Sequence, residues 1–422
     1  MGLSVLIHGL GVEGRAAVRY FAGQGVRPLT HDAGDAAHPD ADALGADAVR
    51  DALGPGTLYL RSPGIVPSDP LYRAACASGA RVTTPTGWWL ARHAPPGAIG
   101  ITGTKGKSTT TALTAAALRA GGAASAAYGN IGAPVLDADL PSEAAPVVEL
   151  SSYMCADLIA PEDGRRWRHA LTNLYKEHTT WHGTEAAYRA AKLRPYRFAP
   201  PCPGVAPAET IADEGLPDAV TAIEDAARLD GAVLTIDGRD LRLDRLSEAF
   251  RAPGLRLAAR AAAAILLPVL GDEASDALAE AGRSWTGLPS RQAIVPSADG
   301  RAWIDDALAT VPEAVSQALD RFGDRAVRLV LGGLDRGQDL TSLLTRVDTL
   351  PDACAYGFGA VSGQVARGGW PIFATLEDAV RAAREDCPEG GVVLFSPAAP
   401  SGPPHRDYRE RAAVFAALAA EA

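Results

Sequence analysis

Short apolar, β-branched runs alternate along this chain with longer stretches rich in Ala and Leu. The runs Ser4–His8, Arg27–His31, Gly97–Thr102, Val147–Leu150, Arg328–Leu331 and Gly391–Phe395 read as strands, because buried strands of parallel sheets are short and apolar on both faces. Between them, Arg15–Gln24, Ser108–Ala120, Glu185–Arg194, Pro312–Arg321 and Tyr408–Ala420 space their apolar residues as helices do. Strand–helix alternation on this scale predicts an α/β protein with mainly parallel sheets. Ala258–Leu270 is apolar nearly throughout and reads as a buried helix. Positions 203–250, rich in Pro, Asp and Gly, carry no clear period.

Length and punctuation divide this pattern. At roughly 100–200 residues per domain, 422 residues suggest two to four domains. The Pro-Pro-Gly break at 95–97 and the change of pattern at 282–288 give three: 1–93, 94–284 and 285–422. The net charge of -10 argues against a basic nucleic-acid-binding surface. Five scattered cysteines, Cys76, Cys155, Cys202, Cys354 and Cys387, show neither metal-ligand spacing nor a disulfide framework. With no basic leader and no uninterrupted apolar run of membrane length, the expectation is a cytoplasmic protein without a membrane partner.

Four places carry candidate chemistry. Gly9-Leu10-Gly11-Val12-Glu13-Gly14 follows a strand and opens a helix, and Asp32 ends the next strand. In this setting glycines admit a diphosphate to a helix N-terminus, and the acidic residue reaches a sugar hydroxyl. A nicotinamide dinucleotide and a nucleotide-sugar diphosphate fit equally. The second place is Gly103-Thr104-Lys105-Gly106-Lys107-Ser108-Thr109, between an apolar run and a helix. Its amides would cradle phosphates, Lys107 would neutralise them, and Ser108 would bind Mg2+. Ile101 stands where the common form of this loop has its first glycine. Third, Glu149 ends a strand beside that loop and becomes a candidate metal ligand. Fourth, His178 and Lys192 are each, taken alone, more simply read as a loop histidine and a solvated helix lysine.

Together these pieces resemble the Mur ligase family over nearly the whole chain, most closely its MurD type. The resemblance also rests on Ser62-Pro63-Gly64, Gly129-Asn130-Ile131-Gly132, Glu149-Leu150-Ser151-Ser152, Thr286-Gly287-Leu288-Pro289-Ser290-Arg291, Asp306, Gly332-Gly333, Ser396-Pro397 and Ser401. It implies a Rossmann-like N-terminal domain for UDP, a central phosphate-loop ATPase domain, and a Rossmann-like C-terminal domain that brings the amino acid. Gly9, Gly11, Val12, Glu13, Gly14, Asp32 and Asn130 would then hold a UDP-linked muramoyl substrate. Residues Gly103 to Thr109, with Arg291 and Asp306, would hold ATP. Ser108, Glu149, His178 and a carbamylated Lys192 would hold Mg2+, with Lys107, Glu149, His178 and Lys192 as the catalytic set. Thr310, Arg336, Ser401 and Tyr408 fall where the incoming amino acid is held.

The implied reaction is ATP-dependent addition of glutamate to UDP-N-acetylmuramoyl-L-alanine through an acyl phosphate, in peptidoglycan precursor synthesis, by a monomer. The chain departs from the D-glutamate-adding pattern at Glu177, Leu257, Arg260, Leu308, Arg336 and Tyr408. Leu257 and Arg260 stand where the family has two asparagines near adenine, so adenine is held differently. Segments 305–312 and 333–339 look like relatives that add L-glutamate, which is the expectation taken here. The alternatives are D-glutamate, a Mur-like ligase acting on another carboxylate, and a nicotinamide-dependent oxidoreductase.

Overall fold

The computed structural model describes residues 4–34, 36–162, 164, 166–177, 179–322 and 324–421. The chain forms two compact units, Met1–Leu246 with Gly254–Arg283, and Ser247–Pro253 with Ser284–Ala422.

The first unit holds two parallel sheets. β1 (Ser4–His8), β2 (Leu29–His31), β3 (Asp42–Ala43), β4 (Thr57–Arg61) and β5 (Arg81–Thr83) pair in the order β3-β2-β1-β4-β5. The order reverses direction between β1 and β4, and in such sheets ligands bind outside the carboxyl ends of the strands at that point. The Gly9–Gly14 turn follows β1, and Ser62-Pro63-Gly64 follows β4. Helices begin on clear signals: Asp69 caps Pro70–Ala77 and Thr84 caps Pro85–Arg92, each with proline at the first turn.

The second sheet comprises β6 (Ile99–Thr102), β7 (Ala127–Gly129), β8 (Val147–Glu149), β9 (Arg168–Leu171), β10 (Gly204–Ala206) and β11 (Val220–Ala222). Its order is β11-β10-β9-β6-β8-β7, all parallel. β6, at the centre, carries the phosphate loop at its carboxyl end. The segment without a clear period contains a small antiparallel sheet, β12 (Ala227–Asp230), β13 (Val233–Ile236) and β14 (Arg239–Arg242). Its signal was Asp237-Gly238, whose φ values of 47° and 74° suit the two-residue hairpin turns that follow strand twist.

By length and composition the helical stretch Pro253–Arg283 could cross a membrane. Ala258, Ala259 and Ala261–Leu266 are nevertheless buried inside the protein, as expected of a core helix, and Ala274–Arg283 packs on helix Lys107–Ala120.

The second unit is built on β15 (Ala293–Val295), β16 (Ala302–Asp305), β17 (Val327–Gly333), β18 (Ala353–Gly359), β19 (Ile372–Phe373) and β20 (Val392–Phe395), in the order β15-β16-β20-β17-β18-β19. Only β15 runs antiparallel. The fully buried Ile304, Leu329, Leu331, Val392 and Leu394 form one face of its core, with Trp303, Val330, Val393 and Phe395 on the other, the two-residue alternation of a sheet covered on both sides. All five cysteines are free thiols.

Candidate functional site

The phosphate loop is shaped from the neighbouring strand. After β9, Thr172 Oγ1 donates to Lys105 O at 2.7 Å, and Asn173 Oδ1 accepts from the amides of Thr104 (3.1 Å) and Lys105 (2.8 Å). Thr104 Oγ1 lies 2.8 Å from the Tyr188 hydroxyl. A Cβ at Gly103 (φ +151°) would lie 1.9 Å from Thr172 Oγ1, so only glycine permits this approach. The Thr104 and Lys105 amides are thus engaged by Asn173. The amides left to face an anion are those at the start of helix Lys107–Ala120, which Gly106 opens at φ +78°. Lys107 Nζ folds back on the loop and donates to Gly103 O and Thr104 O, both at 2.9 Å. Lys105 points away and pairs with Glu177.

Glu149, at the end of β8, is 1% exposed. Its Oε1 accepts from Asn130 Nδ2 at 2.9 Å, and its Oε2 is buried with no hydrogen-bond partner among the described residues. A buried carboxylate oxygen left open beside a phosphate loop fits a hard cation. Ser108 is also buried, in the first turn of the helix. Among the described residues, no group of three His, Cys, Asp or Glu could hold a metal by itself, and His178 lies outside them. Lys192 is 1% exposed; its Nζ donates to Thr102 Oγ1 (3.2 Å) and Gly103 O (2.6 Å). Burial lowers its pKa to about 8. The neutral amine, the form that can take up CO2 as a carbamate, is therefore accessible near physiological pH.

At the first sheet, Gly14 approaches Gly9 so closely that a Cβ would lie 2.0 Å from Gly9 O. Ser62 Oγ donates to Gly9 O at 2.8 Å, joining the loops after β1 and β4. Asp32 accepts from Leu10 N at 2.6 Å and Gly34 N at 2.9 Å, and the Leu10 bond foremost lowers its pKa. Its carboxylate therefore shapes the glycine turn. Arg61, at the end of β4 and fully buried, pairs with Asp157 and donates to Ser62 O, Pro63 O, Ile65 O and Tyr153 O. Nothing in its local sequence marks it, because its partners lie up to 96 residues away.

Glu13 accepts from Thr86 Oγ1 at 2.6 Å, while its Oε2 is buried without a partner among the described residues. Burial raises its pKa to about 7. The native state then holds a proton that the unfolded chain, at about 4.5, releases, so stability falls as pH rises from about 4.5 to 7. Glu13→Gln is expected to raise the melting temperature at pH 8 by roughly 2–4 °C and to leave it unchanged at pH 4.5. Calorimetry at the two pH values checks this, and an equal shift at both would contradict it.

In the second unit, two adjacent aspartates at the end of β16 hold the turn after Leu288. Ser290 and Gln292 adopt φ of 57° and 51°, unusual for residues with a side chain. Asp305 Oδ2 accepts from Ser290 N (3.1 Å) and Oγ (3.0 Å). Asp306 accepts from Gln292 N at 3.2 Å and from Ser396 Oγ at 2.7 Å, and burial raises its pKa to about 7. Arg321 Nη1 donates to Gln292 O at 2.9 Å. Arg291 is presented to solvent between the two left-handed residues. Thr310, Arg336 and Ser401 lie on the loops after β16, β17 and β20, and Tyr408 begins helix Tyr408–Ala420. Arg336 is exposed, and Ser401 Oγ is buried without a partner among the described residues. Asn173, Asp305, Ser396 and Arg321 are structural members of these sites that residue type alone does not mark.

Residues 101–201 match the family model for the Mur ligase middle domain. The chain is similar to a UDP-N-acetylmuramoyl-L-alanine–L-glutamate ligase of Xylella fastidiosa strain Temecula1, with 35% identity over 99% of this chain and 95% of that protein. It is 34% identical to a ligase of the same name from Salinispora tropica, over 98% of this chain and 97% of the relative. The fold matches the crystal structure of the UDP-N-acetylmuramate-alanine ligase MurC of Thermotoga maritima, with a TM-score of 0.57, 16% identity, and 98% of each chain covered. A phosphate loop gripped from β9, a buried carboxylate with an open oxygen at the end of β8, and full-length identity of 35% lead to one assignment: the chain belongs to the Mur ligase family.

Proposed function

We propose that this protein is an ATP-dependent amide ligase of peptidoglycan precursor synthesis, adding L-glutamate to UDP-N-acetylmuramoyl-L-alanine. The observation that carries the reading is the convergence of Lys107 and Lys192 on Gly103 O, with the open carboxylate of Glu149 on the neighbouring strand. The names of the full-length relatives support L-glutamate over D-glutamate.

A carboxylate resists amines because oxide is a poor leaving group. Phosphorylating the L-alanyl carboxylate gives an acyl phosphate, whose phosphate leaves when the glutamate amine attacks. In this reading residues 1–93 hold the UDP group, with Gly9, Gly11, Val12, Glu13, Gly14 and Asp32 forming the turn and Asn130 reaching the muramoyl part. Residues 94–284 hold ATP on the loop from Gly103 to Thr109, and residues 285–422 hold the amino acid. Lys107 and the helix N-terminus stabilise charge that builds on the transferred phosphoryl group. Mg2+, held by Ser108, Glu149, His178 and a Lys192 carbamate, would neutralise the phosphate oxygens and position them for transfer. Arg291 and Asp306 serve the nucleotide; Thr310, Arg336, Ser401 and Tyr408 serve glutamate. Arg336 supplies a planar, bidentate fork for the side-chain carboxylate. The enzyme acts as a cytoplasmic monomer on small molecules, without nucleic-acid or membrane partners.

Phosphate release is the test. Purified protein with ATP, Mg2+ and UDP-N-acetylmuramoyl-L-alanine is expected to release phosphate with L-glutamate, at a kcat/KM at least about 100-fold above that with D-glutamate, since a mispositioned reacting group costs about that much. Release with D-glutamate alone would overturn the stereochemical reading. Release with neither would overturn the substrate assignment.

A further inference from the structure

Arg411 lies one turn inside helix Tyr408–Ala420 and is 1% exposed. Its guanidinium donates its hydrogen bonds to backbone carbonyls, with the Asp305 carboxylate nearby as counter-charge. Nη1 donates to Gly332 O at 3.0 Å and Ala399 O at 3.2 Å; Nη2 donates to Ala307 O and Ala399 O, each at 3.2 Å. Nε is buried with no partner among the described residues, and the guanidinium lies 5.7 Å from the Phe395 ring centroid. Removing such a cation from water is costly, a burden that a purely packing role would not require.

The carbonyls come from three separate stretches of chain. Ala307 follows β16, Gly332 is the penultimate residue of β17, and Ala399 follows β20. The last two loops are also joined backbone to backbone: Gly332 N donates to Pro397 O at 3.0 Å and Leu334 N to Pro400 O at 2.9 Å. The approach is close enough that a Cβ on Gly333 (φ +143°) would lie 2.2 Å from Pro400 O and 3.0 Å from Arg411 Nη1. Ala398, fully buried, takes φ +56° to make the turn. These loops carry Thr310, Arg336 and Ser401, while Tyr408 precedes Arg411 by one helical turn on the same helix.

We infer that Arg411 is a positioning residue for the amino-acid site: its planar fork draws the loops after β16, β17 and β20 onto one helix, so that Thr310, Arg336, Ser401 and Tyr408 face the same amino acid. The inference rests on the assignment of those four residues to glutamate binding. A lysine ammonium keeps the charge but cannot bridge the same carbonyls in one plane.

Arg411→Lys is the test, with KM and kcat measured for all three substrates and folding checked by near-ultraviolet circular dichroism. KM for L-glutamate is expected to rise by about 10- to 100-fold, as loosened positioning predicts, with KM for ATP and for the UDP-linked substrate within about twofold of wild type. Gly333→Ala forces the same loops apart with Arg411 intact and is expected to show the same selective rise; it supplies the reading where Arg411→Lys does not fold. A folded variant with unchanged glutamate KM, or with all three KM values raised together, overturns the inference. Arg336→Gln separates the two claims. If it raises the glutamate KM while Arg411→Lys and Gly333→Ala do not, the amino-acid site stands and the positioning role falls. If Arg336→Gln also leaves that KM unchanged, the site assignment itself falls.

Discussion

Lys107→Ala is expected to lower kcat by about 10²–10³-fold or more, the loss seen when one preorganised charge-stabilising group is removed from a reacting centre. Lys107 folds onto Gly103 O and Thr104 O at the start of a helix whose first-turn amides point the same way. A cation in that position meets the negative charge that phosphoryl transfer spreads over oxygen atoms, and no other side chain in the loop substitutes for it, because Lys105 is turned toward Glu177. The variant should still fold. It loses its hydrogen bonds to Gly103 O and Thr104 O, each contributing about 1 kcal/mol, while Thr172 and Asn173 continue to hold the loop. Steady-state phosphate release and a melting curve check both halves. Wild-type turnover in a folded Lys107→Ala protein would show that the loop is not the phosphate site.

Lys192→Ala is expected to lower kcat by roughly 100-fold or more, because it removes a group that would hold the metal directly, and even the outer partners of metal ligands are worth about 10- to 100-fold. Lys192 is buried between Thr102 and Gly103, at the base of the same loop, and burial lowers its pKa to about 8. A lysine held only for structure would be better served by a partner carboxylate. A lysine meant for carbamylation needs the neutral amine that burial favours. Formate or acetate at millimolar concentrations is expected to restore part of the activity of Lys192→Ala by supplying the missing carboxylate. Activity that stays low at every carboxylate concentration, with a normal melting curve, would contradict the carbamate role.

These two residues differ in how far they were legible. Lys107 sits in a glycine-rich loop between a strand and a helix, and local spacing is enough to propose it for phosphates. Lys192 sits on an ordinary helix, where a solvated lysine is the simplest reading. Only the packing of helix Glu185–Leu193 against the loop gives it its environment. Asn173 is similar: it grips amides 68 and 69 residues earlier in the chain, a relation that exists only once β6 and β9 pair. The antiparallel sheet β12–β14 was missed for another reason. Its strands are only four residues long, and surrounding polar residues hide their alternation, although Asp237-Gly238 marked the turn.

Local chemistry therefore determined a good deal from the sequence alone. Apolar runs set the strands, glycines and capping residues set the turns and helix starts, and the glycine motifs after β1 and β6 marked two strand ends as candidate phosphate sites. Each of these signals acts over a few residues, so the linear chain displays it. Tertiary structure decided which groups became partners. Arg61 on Asp157, Asp306 on Ser396 and Arg411 on three carbonyls join residues far apart in sequence. A buried charge acquires its role from the desolvated groups around it, and those are fixed only when the sheets have formed.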